Sequence, residues 1–206
     1  NNGQVGAVTF LGTVSPAGGN LKEPVTESTK KAARCFYALN QNRADKKRYP
    51  AVDPIDSYSK YLDYPEIVQY MSEHISPDWV DKVHKAKNIV LRGKEAYEQI
   101  NILGDDGVPI SYHEIYWKSE LIDFVILKQD AFDKIDSSCP MERQEYMLSL
   151  VLEACDAKRE FNSFEECSTY YKGLINIFKQ MNYSEFKSAE FDKYLSQIKN
   201  TISYDK

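Results

Sequence analysis

The residues best placed to bind a ligand are aromatic side chains set in polar segments. In YPAVDPIDS, Tyr49 to Ser57, a tyrosine directly precedes a proline. Proline pushes the residue before it out of helical geometry into an extended conformation, so the ring of Tyr49 is restrained. An aromatic ring carried on a restrained, extended backbone is a good surface for stacking a planar group. The segment also lacks the Gly and Ser content of a flexible linker, so we interpret it as a stiff joint that can hold a ligand.

A second candidate ring lies in KQDAFDKIDSSCP, residues 128 to 140, a polar interruption between two helical patterns. Here Phe132 follows Ala131 and is flanked by Asp130 and Asp133. A phenylalanine in such a loop is more often a small satellite of the core than a ligand contact. The pattern alone therefore leaves both interpretations open for each ring.

The sequence contains no complete catalytic constellation. The glycine-rich SPAGGN, Ser15 to Asn20, lacks the GxxxxGK[ST] spacing by which a P-loop reaches phosphate and magnesium, so it is predicted to be a turn. There is no GxSxG, and the four cysteines and three histidines show no spacing typical of a nucleophile pair or a zinc site. The carboxylates are predicted to lie on exposed helix positions.

Charge and hydropathy exclude two classes of partner. A net charge of -5 argues against nucleic-acid binding. The one basic cluster, RADKKR from Arg43 to Arg48, contains an acid and is predicted to be a solvated helix face. No run approaches the ~18 apolar residues that a membrane-spanning helix needs.

The first part of the chain is predicted to contain β-structure. Residues 5 to 14, VGAVTFLGTV, alternate loosely and are rich in Val, Thr and Phe, which is typical of a strand. Pro24 marks a predicted helix start. The following RCFYAL is compatible with either strand or helix.

From Tyr64 onward the pattern is helical, with recognisable ends. Ser76 is predicted as an N-cap before Pro77, and Gly104 as the stop of the same helix. Two capping boxes are predicted, one at Ser111 with Glu114 and one at Ser163 with Glu166. One apolar stripe is expected to pack in the core: Phe164, Cys167, Tyr171, Leu174, Phe178 and Met181. The fold class is therefore mainly α, a bundle of about five or six helices preceded by a short β-containing piece.

Several of these segments resemble one family, the catalytic A subunits of A/V-type rotary ATPases. GTVSPAGGNLKEPVTESTKK is similar to their SPPGGD…PVT segment, and RYPAVDPIDSYSKYLD to their HFPAINWLTSYSLYLD. The latter is even closer to YPAVDPLDSTSR of the F-type beta subunit. LKQDAFDKID and CPMERQ resemble the QQNAF motif and the residues after it.

The resemblance implies a domain division and a position in a longer subunit. Residues 1 to 63 would be the incomplete C-terminal end of the nucleotide-binding domain with the hinge, and residues 64 to 206 the C-terminal helical domain. The chain opens with NNGQVGAVTF, without a methionine, so we expect a piece of a longer protein. The resemblance implies that the P-loop, the magnesium-site acid and the general base lie upstream of Asn1. The piece alone is then expected to be inactive.

The resemblance also implies site residues. Carried over by position, Tyr49, Ala131 and Phe132 would line the adenine pocket for ATP or ADP, whose phosphate and Mg sites lie outside this chain. One ring would come from each domain, so a bound nucleotide would favour the closed joint. The loop implied to contact the rotor comprises Gly104, Asp105, Asp106, Gly107, Val108 and Pro109.

The expected partners are the non-catalytic B subunit in an alternating ring, the central-stalk rotor and the peripheral stalk. Contact with the membrane would be indirect, from its cytoplasmic face and through the ion-translocating sector, with coupling to proton or sodium transport. The alternative is an independent helical interaction module with no nucleotide role. A GxxxxGKT loop upstream of Asn1 would favour the first interpretation, and a natural start codon near Asn1 the second.

Overall fold

The computed structural model describes Gly3 and residues 6 to 203. These residues form eight α-helices and one two-stranded sheet, and a π-helical turn, Asp123–Leu127, continues the fifth helix. The elements are α1 (Pro24–Ala32), β1 (Cys35–Phe36), α2 (Gln41–Asp45), β2 (Tyr58–Ser59), α3 (Pro65–His74), α4 (Trp79–Leu103), α5 (Ile110–Ile122), α6 (Met141–Asp156), α7 (Phe164–Asn182) and α8 (Ala189–Ser203). Six helices follow residue 64 in the described part of the chain, which confirms the mainly α prediction.

The small sheet resolves the ambiguous RCFYAL segment as a short strand. β1 pairs antiparallel with β2, so that Cys35 lies opposite Ser59 and Phe36 opposite Tyr58. An isolated bridge between Leu39 and Val52 extends the pairing. The chain between β1 and β2 is thus a loop whose two ends pair with each other, and this loop contains the whole YPAVDPIDS segment.

The strand predicted over residues 5 to 14 is wrong for residues 6 to 14, and residue 5 lies outside the described residues. Val8 is 99% exposed and Phe10 is 92% exposed. Strand propensity becomes a strand only when a neighbour supplies the ladder hydrogen bonds, and no strand among the described residues pairs with this segment. The next segment is a turn as predicted, with Gly18 and Gly19 at positive φ.

The helical core is built around α7. The predicted stripe is confirmed from Cys167 onward, since Cys167, Tyr171, Leu174, Phe178 and Met181 are all buried. Leu121, Val151, Phe191 and Ile198, from α5, α6 and α8, complete the same cluster. α4 lies close against α5, because Gly93 has no side chain to hold Ser119 away. Packing of apolar faces, rather than helix propensity, accounts for most of this order.

The helix ends confirm one prediction, confirm half of a second and correct two. Gly104, at φ 82°, ends α4 as predicted. Ser163 accepts a hydrogen bond from the Glu166 amide at 3.2 Å, while the Glu166 carboxylate accepts from the amide of Asn162 rather than of Ser163. The predicted Ser111 and Glu114 box is wrong, and its correction lies in where α5 begins.

α5 starts directly after Pro109, so Ser111 already has helical geometry and cannot cap. The predicted N-cap of α4 is displaced in a similar way. That helix begins at Trp79 after Asp78, and the hydroxyl of Ser76 donates to the Asp78 carboxylate instead. Ser111 thus lies inside α5, whereas Ser76 lies three residues before the first residue of α4.

Candidate functional site

Tyr49 lies in a tightly folded loop between α2 and β2. The Asn40 amide donates to the Ala51 carbonyl at 2.9 Å, and the Asp53 amide donates to the Ala38 carbonyl at 2.8 Å. Asn40 also caps α2 with its side chain and donates to Asp53 Oδ2 at 2.7 Å. These bonds close the base of the loop, so the Tyr49 backbone is held while the residue as a whole remains 53% exposed.

The loop of Tyr49 is joined directly to the segment that carries Phe132. The Gln129 amide donates to the Tyr49 carbonyl at 2.8 Å. Phe132, three positions further on, is 100% exposed. The interpretation of Phe132 as a satellite core residue is therefore wrong in this structure. The two predicted rings thus stand on adjoining surface segments, and both present aromatic surface to the outside.

Carboxylates brace the segment around Phe132. Asp130 Oδ1 accepts the Phe132 amide at 2.9 Å, and the Asp130 amide donates to Asp136 Oδ2 at 2.6 Å. Asp133 Oδ1 accepts the amides of Ile135 and Asp136, each at 2.8 Å. Such side-chain turns fix a backbone that belongs to no regular element. Burial raises the pKa of Asp136 above its usual value.

A cleft of about 210 Å³ opens beside this segment, and no sequence pattern predicts it. Phe124 forms part of its wall, with Lys179 Nζ 4.2 Å and the Arg48 guanidinium carbon 4.6 Å from the ring centroid. Burial lowers the pKa of Lys179, and the nearby charges of Lys128 and Arg48 add to that effect. Its lining carries both signs of charge: Phe124, Lys128, Asp130, Asp136, Lys179, Asn182 and Tyr183.

The basic cluster before Tyr49 is not a solvated helix face, so that prediction is wrong for both arginines. Arg43 Nη2 lies 2.7 Å from Asp123 Oδ1. Arg48 makes a bidentate pair with Glu120, at 3.0 and 2.7 Å, and a further contact with Asp123. Asp123 is buried, which also corrects the expectation that the carboxylates lie on exposed helix positions.

The loop expected to contact a rotor joins the end of α4 to the start of α5. Gly104, Asp105, Asp106, Gly107 and Pro109 are exposed, as is the preceding Ile102. The loop is anchored from below by His113, whose Nε2 lies 3.0 Å from the Asp105 carbonyl oxygen. His113 is buried and stacks on Phe164, with ring centroids 5.3 Å apart. The structure therefore presents this loop as an ordered, acidic tip.

The remaining candidate features of the described residues are metal ligands, thiols and long apolar helices. Between residues 6 and 203, no group of three or more His, Cys, Asp and Glu side chains is arranged to hold a metal ion. Burial raises the pKa of the Cys155 and Cys167 thiols to about 12, so neither is a ready nucleophile. In the same part of the chain, no helix has the length and hydropathy to cross a bilayer.

Two family models match the chain, and together they account for most of it. Residues 1 to 59 match the ATP synthase alpha/beta family, nucleotide-binding domain. Residues 68 to 165 match the C-terminal domain of V and A type ATP synthase. The chain belongs to the ATP synthase alpha/beta family, in its V and A type branch.

Individual relatives agree with that assignment. The chain is 40% identical over 190 residues to the V-type ATP synthase alpha chain of Chlamydia pneumoniae, covering 92% of this chain and 32% of the relative. It is 35% identical over 201 residues to that of Protochlamydia amoebophila, covering 98% and 33%. The Treponema denticola protein is 34% identical over 203 residues, covering 98% and 32%. The chain thus spans about a third of the length of these relatives.

Proposed function

We propose that the chain is the C-terminal part of the catalytic subunit of an A/V-type rotary ATPase. In this proposal it supplies the adenine-stacking residues and the helical domain that contacts the rotor. The full-length subunit would couple ATP hydrolysis or synthesis to proton or sodium transport. Family membership supports this proposal over an independent helical interaction module, the alternative that the sequence left open.

One observation carries the site proposal. The segments of Tyr49 and Phe132, 83 positions apart in the chain, are joined by the hydrogen bond between the Gln129 amide and the Tyr49 carbonyl. Both rings are solvent-exposed, so a planar base can reach them without displacing core side chains. Tyr49 and Phe132 would form the aromatic surfaces of the adenine slot, and Ala131 would leave room beside the second ring.

The physical contribution of such a slot is modest and orienting. Stacking a base on an aromatic side chain contributes about 1–3 kcal/mol. Phosphate and magnesium contacts supply the rest of nucleotide binding in phosphoryl transfer. In our proposal those contacts belong to residues outside this chain, so the 206-residue piece alone would bind ATP weakly and hydrolyse none.

The helical domain would have a second task, at the loop of residues 104 to 109. We propose that this exposed tip contacts the rotating central stalk, because its backbone is braced by His113 while its polar side chains face outward. The domain division at residues 63 and 64, the B-subunit and peripheral-stalk contacts, and a place on the cytoplasmic face of the membrane follow from the same assignment.

The test uses the full-length subunit in its assembled ATPase. We expect Tyr49→Ala to raise the KM for ATP by about 5- to 150-fold, the equivalent of the stacking term, with a smaller effect on kcat. Tyr49→Phe keeps the ring and is expected to be nearly neutral. Equal losses from both variants would mean that the hydroxyl matters and that stacking is the wrong explanation.

A further inference from the structure

Two arginines and two carboxylates form a buried, electrically balanced cluster between the Tyr49 loop and α5. The side chains of Arg43, Arg48, Glu120 and Asp123 are 12%, 15%, 12% and 8% exposed. Arg48 contacts both acids, and Asp123 contacts both arginines. We call these four side chains the arginine cluster. None of them was singled out by the sequence as part of a site.

The geometry of the arginine cluster specifies position rather than mere attraction. A planar guanidinium that binds a carboxylate through two parallel hydrogen bonds fixes both distance and orientation. The bonds from Arg48 to Glu120, at 3.0 and 2.7 Å, have this form. Phe124 lies against the same guanidinium, at 4.6 Å, and restricts its remaining freedom. Arg48 therefore holds one place relative to α5 and the π-helical turn.

The carboxylates of Glu120 and Asp123 keep Arg48 ionised although its side chain is largely buried. Burial acts to lower the pKa of the Arg48 guanidinium, whereas the hydrogen bonds and charges of Glu120 and Asp123 raise it, and the net shift is upward. Removing one member of such a cluster leaves an uncompensated buried charge. The cluster is thus a firm connection between the Tyr49 loop and the helices.

The connection lies immediately beside the proposed adenine slot. Arg48 precedes Tyr49 in the chain, and the carbonyl of Tyr49 itself accepts the Gln129 amide. The Gln129 side chain also donates to the Asp136 carbonyl at 2.6 Å, within the segment that carries Phe132. Tyr49 is therefore held in two ways. The preceding residue, Arg48, is fixed by its bidentate pair with Glu120, and the carbonyl of Tyr49 accepts a backbone hydrogen bond.

Resting on the proposed function, we propose that Arg48 is a positioning residue for the adenine slot. Through Glu120 and Asp123 it fixes the Tyr49 ring relative to Phe132, so that the two aromatic rings move together as one rigid body. This differs from the sequence-based expectation that a hinge lies between the two rings. A nucleotide-dependent opening would separate this body from the phosphate-binding part of the subunit, and the spacing of the rings would stay constant.

The experiment measures ATP hydrolysis by the assembled ATPase containing full-length Arg48→Met, Tyr49→Ala or both substitutions. We expect Arg48→Met to raise the KM for ATP at least about threefold, since a misplaced ring forfeits part of a stacking term of about 5- to 150-fold. The kcat should change by less than about twofold, because the lost contact acts on base binding rather than on the reacting phosphate. On the Tyr49→Ala background the same substitution should raise the KM no further, since the ring it positions is absent.

The matched control is Arg92→Met, which removes an exposed arginine from α4 and is expected to leave the KM unchanged. An unchanged KM in Arg48→Met, with a raised KM in Tyr49→Ala, overturns the positioning role and leaves the proposed function standing. Equal factors from Arg48→Met with and without Tyr49 also overturn it. An unchanged KM in Tyr49→Ala instead contradicts the adenine slot itself.

A milder variant keeps the test decisive where Arg48→Met does not assemble. Glu120→Gln preserves the shape of the side chain and one acceptor, but it removes the negative charge that completes the bidentate pair with Arg48. We expect it to raise the KM for ATP in the same direction, with no further increase on the Tyr49→Ala background. An assembled Glu120→Gln enzyme with the wild-type KM would overturn the proposal.

Discussion

The close approach of α4 and α5 gives the sharpest prediction about the fold. Gly93 is buried in α4 opposite Ser119 of α5. A Cβ atom added at Gly93 would lie 2.0 Å from the Ser119 Cβ and 2.4 Å from its Oγ. The Cβ of Ser119 cannot rotate away, because it is attached directly to the backbone. The substitution Gly93→Ala therefore forces the two helices apart.

The magnitude follows from that overlap. Carbon atoms rest about 3.5–4.0 Å apart, so the backbones must separate by about 1.5–2 Å locally. Overpacking costs about 1–3 kcal/mol, and an overlap of this size belongs in the upper part of that range, at about 2–3 kcal/mol. Alanine recovers about 1 kcal/mol through its higher helix propensity. We expect a net loss of about 1–2 kcal/mol, which lowers the Tm of a chain of this size by about 2–8 °C.

The assay is thermal unfolding followed by circular dichroism, with Gly173→Ala as the matched control. Gly173 is also helical, in α7, but a Cβ there would meet no atom within 4 Å. We expect Gly173→Ala to stabilise the chain by about 0.5–1 kcal/mol, because only the helix-propensity term applies. A Tm that rises in both variants would refute the packing argument, since propensity alone would then explain the results.

Two further predictions concern the charge of Asp53 and the isolated chain. Burial acts to raise the pKa of Asp53, but hydrogen bonds from the amides of Asp56 and Ile55 and from Asn40 hold it below its usual value. A carboxylate with a lowered pKa stabilises the fold above its unfolded pKa of about 3.9 and ceases to do so as the pH falls through the folded value. Asp53→Asn should therefore cost about 0.5–1 kcal/mol at pH 7 and progressively less as the pH falls through the folded pKa, as measured by urea unfolding across the acid range, and an unchanged loss throughout would contradict this. The 206-residue chain should give no measurable ATP turnover in a clean preparation, and a rate above the buffer blank would place phosphate chemistry within it.

The elements that the sequence predicted correctly are those decided by local pattern. The α7 stripe has a helical period, and its residues from Cys167 to Met181 are buried in the structure. Gly104 and Ser163 act at helix ends through their own conformation or their own side chain. In each case the deciding interaction spans only a few positions, so a sequence pattern contains the necessary information.

Most of the failures involve interactions with distant residues; the two displaced helix starts, near Ser76 and Ser111, are local. The prediction that Arg43 and Arg48 are solvated is wrong because their acidic partners lie more than 70 positions away in the sequence. The strand over residues 6 to 14 has the composition of a strand but no partner among the described residues. No sequence pattern indicated that Gly93 lies at a helix contact, since its approach to Ser119 is a property of tertiary packing.

The residues of the proposed site could be chosen from the sequence, but their arrangement in space could not. Tyr49 and Phe132 could be chosen from sequence because their aromatic types, their polar surroundings and the family resemblance agreed. The bond between the Gln129 amide and the Tyr49 carbonyl could not, because backbone groups leave no trace in composition. The residues that fix the ring, rather than the ring itself, are what the structure adds.

The central claim is that Tyr49 and Phe132 bind one adenine base between them. The most direct measurement is a structure of the assembled ATPase, containing the full-length subunit, with nucleotide bound at the catalytic site. Our account predicts the base in van der Waals contact, about 3.5–4.0 Å, with both rings. Clear density for the phosphates and base, with the base contacting neither Tyr49 nor Phe132, would contradict it.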